Sequence, residues 1–182
     1  MKPPFKSVAL ASVAAMAVAL SGCASTMGGG ASGPAATATL LGGDGASHGT
    51  ARVVQTAAGL EVTVAVTGLK PGVHAAHVHT TGTCTAPDFT SAGGHWNPMS
   101  RQHGTENPMG SHMGDMPNMT VGADGSGTLT YTIASGMLSG GATPLLDADG
   151  AAVVVHADPD DNKSDPAGKA GGRIACGVLA LS

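Results

Sequence analysis

Seven side chains able to ligate a metal, six imidazoles and one carboxylate, punctuate this chain: His77, His79, His95, His103, His112, Asp115 and His156. That is more imidazole than a packing core needs, and a fold that uses it must bring distant segments to common points. His77 and His79 are two positions apart. On a strand such positions face one way, so both rings reach one point while Val78 faces the other side. His156 closes an apolar run and could bring a third ring from another strand; His95 could bring a fourth. Imidazole suits copper and zinc. His95, His103, His112 and Asp115 follow one another at spacings of eight, nine and three. Three imidazoles and a carboxylate make a plausible tetrahedral zinc site. Such a site would pin a loop that has no pattern of its own, which makes metal binding part of folding. With His95 serving both groups, the set suffices for two metals, and two metals of different character point to redox chemistry or a related binding function. His48 and His74 stand apart, as a surface residue and a hydrogen-bonding structural residue.

The rest of the chain reads as short strands. Glycine is abundant (29 residues) and spread throughout. Between Gly and Pro turns lie stretches of period-two character at 50–55, 60–66, 128–133, 151–156 and 173–179. The clearest puts Leu60, Val62, Val64 and Val66 on one side. Short strands with Gly-rich turns indicate an all-β sandwich or barrel. The stretch 80–121 has no strand pattern apart from His95-Trp96, and it holds four of the seven candidate ligands. A loop that long in a compact domain is usually functional. With one Trp, one Tyr and two Phe, the core has to be Val, Leu, Ile, Ala and Met.

The front of the chain carries Lys2 and Lys6, then an apolar run over 8–20. The run is too short for a comfortable membrane span and has the flanks of a signal peptide. It ends at Leu20-Ser21-Gly22-Cys23, which resembles the lipobox of bacterial lipoproteins. That resemblance implies cleavage before Cys23 and lipidation of its sulfur. The residue after it is Ala24 rather than aspartate, which favours the outer membrane of a Gram-negative cell, on the periplasmic side. Several acyl chains anchor stably where one is marginal. The expected division is a signal at 1–22, the lipidated Cys23 with a Gly/Ala/Ser/Thr/Pro tether to 37, and one domain over 38–182. Of three cysteines, Cys23 takes lipid, leaving Cys84 and Cys176 to pair in an oxidising compartment. A loop of that length gives about 4–5 kcal/mol in the chain-entropy model. Loss of Lys2 and Lys6 leaves six basic against twelve acidic residues. No basic patch suggests nucleic acid.

Several segments together resemble the copper–zinc superoxide dismutase family in its secreted bacterial form. They are Pro71-Gly72-Val73-His74-Ala75-Ala76-His77-Val78-His79, Gly94-His95-Trp96-Asn97-Pro98, His103-Gly104 and His112-Met113-Gly114-Asp115-Met116-Pro117-Asn118. Val154-Val155-His156-Ala157-Asp158-Pro159-Asp160-Asp161 and Gly171-Gly172-Arg173-Ile174-Ala175-Cys176-Gly177-Val178 complete the pattern. The resemblance spans about residues 38–181. It implies an eight-stranded Greek-key β-barrel with long metal-binding loops, and superoxide as a small anionic substrate. It implies one copper per chain on His77, His79, His95 and His156, and one zinc on His95, His103, His112 and Asp115, with His95 the catalytic bridge between them. Arg173 matches the active-site arginine, Cys84 and Cys176 the disulfide, and Asp160 the aspartate that links rings of the two metals, with Asp158 and Asp161 as neighbouring acids. The family includes monomers and dimers, so a homodimer stays open as a partner.

Two departures stand out. Ala75 and Ala76 sit where larger residues are common, and the stretch between His156 and Arg173 is short, so the charged guidance loop is trimmed or reworked. Met99, Met109, Met113, Met116 and Met119 crowd the loop region. Thioethers bind Cu(I) softly, or simply fill packing gaps. Beside dismutation, the sequence leaves a copper-binding or copper-delivery lipoprotein, and a metal-stabilised structural lipoprotein, as alternatives.

Overall fold

A computed structural model describes residues 32–182, together with Met1 and Pro4. The signal segment, Cys23 and the tether as far as residue 31 lie outside the described residues. The chain forms β1 (Ala35–Gly42), β2 (Ser47–Thr56), β3 (Gly59–Val66), β4 (Gly72–His74), β5 (Ala76–His79), β6 (Met119–Val121), β7 (Gly127–Ala134), β8 (Ala152–His156), β9 (Arg173–Val178) and β10 (Ala180–Leu181). Every pairing is antiparallel, in the order β4-β6-β7-β3-β2-β1-β9-β8-β5, with β10 also on β1.

The two ends of that order, β4 and β5, are separated in sequence only by Ala75. One run of chain therefore occupies both ends, and the sheet closes into a barrel apart from that break. Counting β4 with β5, and β9 with β10, gives the eight strands expected. The Greek-key element lies where β4, β6 and β7 run as consecutive neighbours and β3 returns beside β7. Among the described residues the one helical element is a single 3-10 turn, Thr90–Ala92.

Local chemistry accounts for the strands. In β3, Leu60, Val62, Val64 and Val66 are buried while Glu61, Thr63 and Ala65 are partly exposed, so period-two patterning sets the register. A two-residue turn joins Thr56 to Gly59. Gly59 has φ of 130°, and a Cβ there would lie 2.2 Å from the Ile133 carbonyl oxygen, so only glycine fits. β1 begins at Ala35, inside the segment that composition assigned to the tether. Its alternation is carried by Ala36, Ala38 and Leu40, small residues that read as linker until β2 and β9 flank them.

β8 breaks the alternation because both of its faces are covered. Val153 and Val155 enter the main core with Leu40, Leu60, Val62, Val64, Trp96 and Met116. Ala152 and Val154 face outward into a second cluster with Phe89, Ala92 and Cys176, under the 80–93 loop. β5 is built the same way: Ala76 and Val78 point into the barrel and are fully buried there. His77 and His79 point out of the barrel, and the loops roof them over.

Leu60 is fully buried in the main core. Leu60→Ala is expected to lower unfolding free energy by about 2–5 kcal/mol, read as a lower denaturant midpoint at unchanged slope.

Candidate metal centre

Three backbone hydrogen bonds assemble the site from distant segments. The Trp96 amide donates to the Val78 carbonyl at 2.8 Å, the Val78 amide to the Gly114 carbonyl at 2.9 Å, and the Gly114 amide to the Trp96 carbonyl at 2.9 Å. This ring of bonds lays the His95 segment and the 112–115 segment against β5. It depends on close approach, since a Cβ on Gly114 would fall 2.2 Å from the Val78 carbonyl oxygen. His156, at the end of β8, donates its amide to the Ala75 carbonyl at 2.9 Å and so arrives beside the β4–β5 break.

All seven candidate ligands are buried and form two groups. His77, His79, His95 and His156 make one; His95, His103, His112 and Asp115 make the other. Within each group the ligand atoms lie within 4.8 Å of one another, and the ring of His95 belongs to both.

The first group is marked by four buried nitrogens that have no hydrogen-bond partner: His77 Nδ1 and the Nε2 atoms of His79, His95 and His156. Such atoms are costly unless something else satisfies them. The opposite nitrogen of each ring is engaged. His77 Nε2 donates to Asp160 Oδ2 at 2.8 Å, His79 Nδ1 to the Gly93 carbonyl at 3.0 Å, and His156 Nδ1 to the Gly171 carbonyl at 3.4 Å. A ring that donates from one nitrogen presents a lone pair on the other, which is the state a metal needs.

Burial adds to this. With neighbouring rings and Arg173 acting in the same direction, it pulls His79 down to about 2 and His156 down to about 3. At His95 burial also dominates, partly offset by Asp115, and the ring is lowered to about 4. These rings are neutral at pH 7 and fit a cation that prefers imidazole.

The second group centres on Asp115. Its Oδ1 lies 2.8 Å from His95 Nδ1, 3.0 Å from His103 Nδ1 and 3.2 Å from His112 Nδ1. Its Oδ2 accepts the amides of Gly104 and His112, which fix the carboxylate plane. Burial opposes ionisation of Asp115, but the bonds from His103, His112 and His95 outweigh it and hold the group well below the usual carboxylate range. Three Nδ1 atoms and one carboxylate oxygen converging this closely fit a tetrahedral N/O metal. Burial alone would lower His103, yet Asp115 and Asp160 together raise it to about 9.

Asp160 spans the groups: Oδ2 receives His77 Nε2 and Oδ1 receives His103 Nε2, at 2.8 and 2.9 Å. Burial opposes its ionisation too, and these bonds overcome it, leaving Asp160 well below the usual carboxylate range. Asp158 and Asp161 do not share this position; Asp161 bonds Ser164 instead.

The Arg173 guanidinium donates to the Phe89 carbonyl at 2.6 Å and the Gly93 carbonyl at 2.7 Å. Gly93 therefore serves both Arg173 and His79. The Cys84–Cys176 disulfide, with Cα atoms 5.7 Å apart, ties the loop carrying those carbonyls to β9.

Two residues set aside in the sequence have partners elsewhere. His74 lies with Nδ1 2.8 Å from the His156 carbonyl and Nε2 2.8 Å from the Lys70 carbonyl, and His48 is half-buried with Nδ1 3.2 Å from the Thr67 carbonyl. The methionines divide: Met116 and Met119 are core, Met113 packs against it, and Met99 and Met109 are exposed. Sequence reasoning passed over Asn118, whose side chain holds both the amide and the carbonyl of Asp160. It also passed over Gly168, where a Cβ would collide with the Asp160 carboxylate. Asn118 closes the same motif as His112 and Asp115, and that position was the only sequence signal for it.

Raised to about 9 by Asp115 and Asp160, His103 is expected to hold a proton on both nitrogens at pH 7 in the metal-free chain, and a metal at Nδ1 has to displace one of them. Zinc binding at pH 7 is expected to release about one proton, and apparent affinity to fall as much as tenfold per pH unit below about 9. Calorimetric titration in two buffers of different ionisation enthalpy reads the release.

A family model for copper/zinc superoxide dismutase matches residues 47–179. A copper–zinc superoxide dismutase of Caulobacter vibrioides is 44% identical over 147 residues, covering 79% of this chain and 84% of its own. One of Aquifex aeolicus is 40% identical over 146 residues, covering 78% and 85%. Among solved structures, a superoxide-dismutase-like protein from Bacillus subtilis superposes with a TM-score of 0.76 at 37% identity, over 79% of this chain and 97% of that one.

Proposed function

The chain belongs to the copper/zinc superoxide dismutase family, and from that premise we propose that it converts superoxide to dioxygen and hydrogen peroxide with one copper and one zinc bound. The observation that carries this reading is the set of four partnerless buried nitrogens on His77, His79, His95 and His156, next to a fixed guanidinium. Those nitrogens would hold copper; His95 Nδ1, His103 Nδ1, His112 Nδ1 and Asp115 Oδ1 would hold zinc. Copper, when bound, supplies a one-electron couple that takes an electron from one superoxide and returns it to the next.

The protein's own groups do the rest. Arg173 pairs with His156 in the β8–β9 register, so its charge lies beside the first group. Two of its N–H groups are spent on carbonyls, which aims the guanidinium and leaves other donors for a small anion. A local positive field of this kind raises encounter rates even on an acidic protein. With Nδ1 turned to Asp115, His95 Nε2 is the atom of the shared ring that would hold a proton whenever it does not ligate copper. Asp160 keeps His77 and His103 in the tautomers that present their ligand atoms.

The test is superoxide dismutation by the chain lacking residues 1–22, with copper and zinc measured on the same sample. Turnover should scale with bound copper and drop to the free-copper background in His156→Ala. One copper and one zinc per chain without turnover would replace the enzyme with a copper-handling protein. That second reading is favoured by the exposed thioethers of Met99 and Met109 on the ligand-bearing loop.

The same proposal places the protein on the periplasmic face of the outer membrane, anchored through Cys23. The Lys-flanked apolar run ending at Leu20-Ser21-Gly22-Cys23 supports this. Labelled palmitate fed to expressing cells should enter the full chain and be absent from Cys23→Ala.

A further inference from the structure

One ligand ring lacks the outer partner that the others have. His77 and His103 donate their far nitrogens to Asp160, and His79 and His156 donate theirs to carbonyls. His95 faces both groups with its two nitrogens. His112 turns Nδ1 to the second group, and its Nε2 faces outward, with Oδ1 of Asp165 3.9 Å away. The same oxygen accepts the backbone amide of His103 at 2.6 Å. One carboxylate from the 157–172 loop therefore meets the backbone of one ligand of the second group and the ring edge of another.

We propose that Asp165 is a positioning residue for the second metal. Its carboxylate holds the His103 backbone in place and polarises His112 from the side away from the metal. Metal-bound imidazole is a stronger N–H donor than free imidazole, and a carboxylate facing it raises ligand basicity and fixes the ring orientation. Asp160 does this for His103 through a hydrogen bond at 2.9 Å inside the fold, while Asp165 acts on His112 through its charge alone, 3.9 Å from Nε2 and half exposed at the surface. The two acids lie on one loop, so that loop backs two ligands of the second group, His103 and His112.

The consequence is a division of labour. Asp160 touches a ring from each group, whereas Asp165 touches only the second. Loss of Asp165 therefore loosens zinc and leaves copper alone. The inference rests on zinc occupying the second group. Failure of the unsubstituted chain to bind zinc or cobalt overturns that reading and this one together. Any difference confined to Asp165 variants tests this one alone.

The experiment uses the full metal-loaded domain with Asp165→Ala and Asp165→Asn. Zinc release to a chromogenic chelator should accelerate about 10–100-fold in Asp165→Ala, with copper release within twofold of the unsubstituted chain. Asp165→Asn keeps an oxygen for the His103 amide but removes the charge, so its zinc release should be intermediate. With Co(II) in place of zinc, the visible bands should shift in Asp165→Asn, because the charge facing His112 has gone. A residue that merely anchors the loop would leave the Asp165→Asn bands unchanged, and that result overturns the proposal. Unchanged zinc release in Asp165→Ala also overturns it, as does equal acceleration of copper and zinc release with a lowered Tm.

Discussion

The carboxylate of Asp160 is the constraint around which the centre is organised. It is a buried anion with an imidazole from each metal group on its two oxygens. A buried charge is tolerated only when paired and hydrogen-bonded, and here the pairing selects the tautomers that metal binding requires. Asn118 holds its backbone and Gly168 clears the space beside it. Two loops remote in sequence thus meet at one side chain, and a ring of each candidate ligand group is bonded to it.

The barrel's contribution is to free one of its outer faces. Its interior is filled by aliphatic side chains from every long strand, with Trp96 and Met116 reaching in from the loops and Met119 from β6. The site sits on the outside of β5 and β8, where loops supply the second wall. That accounts for strands buried on both faces, and for a disulfide placed on the roof rather than in the core. The disulfide holds the loop, the loop presents the Phe89 and Gly93 carbonyls, and those carbonyls aim Arg173 while Gly93 also orients His79. Loop anchoring and the placement of the Arg173 charge therefore share the same atoms.

The strands legible in advance were those with a strong two-residue period: β2, β3, β7, β8 and β9. β1 was passed over because Ala and Thr alternate there with little contrast in hydropathy, and only its neighbours make Ala36 and Ala38 interior residues. β6 is three residues long and pairs with β4, a strand equally short, so neither leaves a periodic trace.

By itself the sequence determined the all-β class, the membership of the two ligand groups and the family to which they belong. These are carried by residue identity and local spacing, which survive without coordinates. Only the tertiary structure decided which nitrogen of each ring is spent on a hydrogen bond and which is left for a metal. It alone placed Asp160 against the His103 ring and Asp165 against the His103 amide, and gave the Gly93 carbonyl to both His79 and Arg173. Those are contacts between segments tens of residues apart, and no local pattern encodes them.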